Sequence, residues 1–149
     1  MKIKCITLAA LMFYSAPGWS TFQEREYNTW YIKNAILYDI TQTSEGFPVM
    51  VSVSQPGKKS ANLVVSYITE GQCGKNTLPL NVNGKVLPAS YYCVQVGSNR
   101  IEHFSVVDAT SVNAPVAHLN SDFTLLLQND IKIWAANIKS PKYGLTPRF

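Results

Sequence analysis

Phe47-Pro48-Val49-Met50-Val51-Ser52-Val53-Ser54 sets the fold class through its alternation. Phe47, Val49, Val51 and Val53 recur at every second position, and Ser52 and Ser54 fall between them. Successive side chains of a strand point to opposite faces, so this period of two builds one apolar face and one polar face. A helix would scatter the same valines around its circumference. β-Branched side chains also fit a pleated, half-buried surface.

Working outward, the same alternation recurs in residues 61–69 (ANLVVSYIT), 90–96 (SYYCVQV), 101–108 (IEHFSVVD) and 131–138 (IKIWAANI). Residues 29–40 (TWYIKNAILYDI) are long enough for a helix, but Trp30, Tyr31 and Ile32 in a row favour a strand. Turn residues punctuate these runs. Pro56-Gly57-Lys58-Lys59 separates two of them, Gly97-Ser98-Asn99-Arg100 separates two more, and Asn83-Gly84 marks a hairpin because both residues tolerate positive φ. The pattern predicts a mainly β chain, an antiparallel β-sandwich or open barrel of about seven strands. One segment departs from it. Asn120-Ser121-Asp122 followed by a compact apolar run predicts one short α-helix near residues 121–128, with Ser121 near its N-cap. Residues 140–149 carry two prolines and a glycine and read as an irregular tail.

The N-terminus has a different grammar. Lys2 and Lys4 precede the apolar run Cys5-Ile6-Thr7-Leu8-Ala9-Ala10-Leu11-Met12-Phe13-Tyr14, and Pro17-Gly18 breaks it before Ser20. A basic start, a short apolar core and small residues at the end make a secretory signal peptide over residues 1–20. The run is too short for a bilayer, which needs about 20 apolar residues. Removing residues 1–20 from the 149-residue chain leaves 129, the size of a single exported β-rich domain over residues 21–149. The formal net charge of +4 includes Lys2 and Lys4, so the mature part carries only +2. Its basic residues stand singly apart from Lys58-Lys59, which argues against a nucleic-acid footprint. No second apolar run approaches spanning length, so no membrane span is expected.

Cys5 leaves with the signal, and Cys73 and Cys93 remain. A single pair in an oxidising compartment reads as a disulfide. Cys73 lies between Gln72 and Gly74, with His103 and His118 downstream. In two or three residues this is similar to the nucleophile segment of papain-like proteases, whose second cysteine and aromatic residue are missing here. The bridge explains Cys73 more simply than a thiolate does. His103 and His118 fall short of a zinc site, which wants three or four ligands. No metal or cofactor is expected. No phosphate-binding glycine loop, G-x-S-x-G or H-E-x-x-H occurs.

Aromatic residues concentrate on the predicted strands. The adjacent pairs Trp30-Tyr31 and Tyr91-Tyr92 each put one ring on either face of a sheet, so Trp30, Tyr31, Tyr91 and Tyr92 are the candidate recognition surface. The function expected from these features is a non-catalytic periplasmic or secreted binding or inhibitory module, for example an immunity protein, whose partner is another protein of the cell envelope. A structural subunit of a surface fibre or secretion assembly is the first alternative, and a small exported hydrolase the second.

Overall fold

In the computed structural model, which describes residues 26–144, the strands form two layers with one helix between their ends. The chain starts with β1 (Tyr31–Lys33) and β2 (Ile36–Gln42), an antiparallel hairpin where one continuous strand was expected. Its turn is Asn34-Ala35, with φ at 51° and 60°. Positive φ at both central residues matches the right-handed twist of the flanking strands, and the usual Asn-Gly signature is absent because alanine occupies the second position. Next come β3 (Pro48–Ser54), formed by the alternating valines, and β4 (Asn62–Glu70). The hairpin β5 (Leu80–Val82) and β6 (Lys85–Leu87) turns at Asn83-Gly84 as its sequence predicts. Another hairpin follows, β7 (Ser90–Val96) and β8 (Asn99–Val106).

The helix, α1 (Ala109–Asn120), precedes the position expected for it. Asp108 caps it in an extended conformation, its side chain accepting from the Ser111 amide at 2.8 Å. Asn120, Ser121 and Asp122, read from sequence as a helix start, are the helix end. Asp122 takes φ 66°, its amide donates to the Leu119 carbonyl, and the Phe123 amide donates to the His118 carbonyl. These are the bonds of a Schellman stop, and the His118 and Phe123 rings pack over it with centroids 5.0 Å apart. Polar residues of this kind terminate helices as readily as they start them. The leucines that follow belong to β9 (Leu125–Leu127), which turns at Gln128-Asn129 into β10 (Ile131–Ile133). The strand expected over residues 131–138 stops there, because Ala136 adopts φ 41° and the chain turns. Within the expected irregular tail, β11 (Lys142–Tyr143) adds a short parallel strand beside β1.

The seven-stranded sheet runs β11-β1-β2-β3-β4-β8-β7 and the four-stranded sheet β10-β9-β5-β6. Neither closes into a barrel among the described residues, and the arrangement is that of a β-sandwich. The apolar face of β3 forecast by the valine alternation is the core. Val49, Val51 and Val53 join Leu63, Val65, Phe104 and Val106 of the large sheet. Leu80, Val82, Leu125, Leu127, Ile131 and Ile133 of the small sheet belong to the same cluster. Val112, Val116 and Leu119 line one face of α1 at helical spacing and complete it. A cavity of about 20 Å³ lies where α1 meets both sheets. Its lining is apolar, so it lacks the partners that would hold a water.

The proposed signal segment and its cleavage point lie outside the described residues. No described helix is long and apolar enough to cross a membrane.

Candidate functional site

The β7–β8 hairpin brings together Cys93, His103 and the candidate recognition residues Tyr91 and Tyr92. Cys93, at the middle of β7, is bridged to Cys73, with Cα atoms 5.8 Å apart. The bridge fastens the segment after β4 to the inner face of the hairpin. Gln95 fastens it again: its Oε1 accepts from the Cys73 amide at 2.8 Å, and its Nε2 donates to the carbonyls of Gly71, Gly97 and Asn99. Beneath them lies a polar cluster centred on buried Glu102. Arg100 donates from Nε to Glu102 and from Nη1 to the Glu70 carbonyl, while Tyr91 donates its hydroxyl to the other Glu102 oxygen. Burial, and then the hydrogen bond to Glu102, pushes the Tyr91 hydroxyl up to about 12. Glu102 is 1% exposed and both its oxygens are engaged, so the group braces the hairpin from inside and offers no accessible acid or base.

On the outer face, His103 Nδ1 lies 2.8 Å from Ser66 Oγ, within the reach of a nucleophile and its base. The remaining geometry does not suit that chemistry. Ser66 is 1% exposed, and the Tyr92 ring stacks on the imidazole at 4.4 Å between centroids. The neighbouring carboxylate, Glu102, points to the opposite face of the sheet. Burial lowers the His103 pKa, favouring the neutral ring that a hydroxyl partner suits. His118 lies in the last turn of α1 rather than before a helix, against Phe123. Cys73 is oxidised, and neither histidine reaches it through any hydrogen bond. Among the described residues no three His, Cys, Asp or Glu side chains cluster as metal ligands would.

The four candidate recognition aromatics separate. Trp30 is fully buried, donating from Nε1 to the Trp134 carbonyl at 2.8 Å. Its backbone is clasped by the Asn137 side chain, so it plugs the end of the core. Tyr31 stacks on Tyr38 at 5.5 Å, and Tyr91 leans on Phe104 and Glu102. Tyr92 alone faces solvent substantially, at 58% exposure. With it on the outer face of β7 stand Val94 at 40% and Val96 at 53%, which the choice of aromatics overlooked. The sequence signal for them was present as SYYCVQV, seven residues without a charge.

Edge position gives that stretch its meaning. The two sheets have four edge strands among the described residues: β6, β10, β11 and β7. The first three are two or three residues long and each carries a lysine, Lys85, Lys132 and Lys142 respectively. Short length and an edge lysine are the usual protections against unwanted strand pairing. β7 is seven residues long, uncharged, free of proline and apolar on its outer face.

No protein-family model matches the chain, and neither the curated proteins nor the solved structures contain a match to it.

Proposed function

We propose that the mature chain is an exported, non-catalytic protein-recognition module that engages its partner by strand addition along β7. The carrying observation is that, among the described residues, β7 is a long, uncharged edge of a sandwich whose other edges are short and lysine-bearing. In a two-residue hairpin the pair flanking the turn, here Val96 and Asn99, exchanges backbone hydrogen bonds. By alternation the amides and carbonyls of Tyr91, Cys93 and Gln95 then point away from β8, towards an added strand. Main-chain bonds to these groups supply affinity, and Tyr92, Val94 and Val96 supply side-chain selectivity. The disulfide and the Gln95 bonds hold the strand extended beforehand, which reduces the ordering cost of association. The disulfide also fits a periplasmic or extracellular destination.

The test is hydrogen exchange on the exported protein alone and with an envelope protein it retains. The expected result is slowed exchange at Tyr91, Cys93 and Gln95, with binding lost in Val94→Lys. A footprint on another surface, with β7 amides unchanged, would overturn the assignment.

A further inference from the structure

We propose that in the free protein the β7 edge is occupied by β7 of a second copy, joining two seven-stranded sheets antiparallel across a two-fold axis; this deepens, and rests on, the reading of β7 as a strand-addition edge. The argument comes from self-complementarity. A two-fold axis opposite Cys93 pairs Cys93 with Cys93 of the second copy and Tyr91 with Gln95 of the second copy. Every outward amide then faces an outward carbonyl, because the same three residues of each chain expose them. On the outer face this register sets Tyr92 beside Val94 of the second copy, and Val94 beside the second copy's Tyr92. Aromatic and β-branched residues are a favourable cross-strand pair, and the symmetry makes the pair twice.

Charge selects the occupant further. β7 carries no ionisable side chain except its tyrosines, so the two paired strands themselves meet without like-charge opposition. An acidic or basic partner segment would gain nothing from it. Pairing also merges the Tyr92, Val94 and Val96 patches of both chains, removing from water the apolar surface that each leaves exposed. One seven-residue edge is a small contact beside the ~800 Å² per partner of a standard interface, so the dimer is a weak, micromolar-class one.

Sedimentation velocity of the exported, disulfide-intact protein from low micromolar to millimolar concentration tests this. The expected result is a concentration-dependent doubling of mass, accompanied by slower exchange at the amides of Tyr91, Cys93 and Gln95. Val94→Lys places ammonium groups from both copies near the axis and is expected to remain monomeric throughout, with unchanged circular dichroism. Phe123→Lys, which removes an exposed ring elsewhere, is expected to dimerise as the unmodified protein does. A wild-type monomer at every concentration overturns self-pairing, as does a dimer that survives Val94→Lys. If the monomer still shows a partner's footprint on β7, the strand-addition reading stands and only the second copy is refuted.

Discussion

Replacing Asp39 by asparagine should stabilise the protein at alkaline pH and do little at acid pH. Asp39 is in β2 opposite Val51, so its carboxyl points into the core, where it is fully buried. Among the described residues neither oxygen makes a well-formed hydrogen bond, and the backbone amides of Thr29 and Ile40 lie close enough only to offset the burial in part. Burial pushes its pKa from 3.8 up to about 7. The folded state therefore holds a proton that the unfolded chain has already released between about pH 4 and pH 7. Stability from this group is full below the unfolded pKa, falls as pH rises through that window, and is level above the folded pKa. At ~1.4 kcal/mol for each pH unit of the window, the loss approaches ~4 kcal/mol. For a domain of this size that is a fall in Tm of roughly 10 °C or more. Thermal melts of wild type and Asp39→Asn at about pH 5 and about pH 8 read the difference directly. The variant keeps the shape of the neutral acid without its titration, so its Tm advantage over the wild type should be small at the lower pH and more than double at the higher one. Asp108 and Glu26, whose pKa values are lowered by Ser111 and Lys142 respectively, act with the opposite sign at lower pH and cancel in the comparison. Parallel melting curves for the two proteins across this range would refute the argument.

Reducing Cys73–Cys93 opens a loop of sequence separation 20 and should cost about 3 kcal/mol in the chain-entropy account, seen as a lower Tm in dithiothreitol. Two reactive thiols in the unfolded, unreduced protein would refute the bridge. Ala35→Gly should stabilise by about 0.5 kcal/mol, since relief of a left-handed alanine at φ 60° outweighs the added freedom of the unfolded glycine. Urea unfolding checks it, and a lowered midpoint would contradict the strained-turn reading. Val116→Ile adds one methylene beside the 20 Å³ cavity and should gain up to ~0.8 kcal/mol. A loss in the same urea assay would show that the void does not accept it.

Several features were legible because they depend only on neighbours in the chain. The valines of β3 needed nothing beyond their alternation, and Asn83-Gly84 announced its own turn through the positive φ both residues accept. Cys73 and Cys93 read as a pair once Cys5 is set apart with the expected signal segment. The hairpin at Asn34-Ala35 was not legible, because alanine enters the left-handed region only when the strands on either side are held in the sheet. Nor was the placement of α1. It contains Pro115 and several poor helix formers, and it is retained because Val112, Val116 and Leu119 bury against both sheets. Leu125-Leu126-Leu127 fits a helix or a strand equally until β10 and β5 pair with it.

The candidate recognition aromatics divide the same way. That Trp30 fills the core while Tyr92 faces water depends on which residues cover each face, information no local pattern carries. Composition and period are local properties, and they were enough to read a β-rich chain with one disulfide and an uncharged run at residues 90–96. That this run is an edge emerges from the folded sheet alone. Strand order comes from long-range pairing, and here it leaves the backbone groups of Tyr91, Cys93 and Gln95 facing outward.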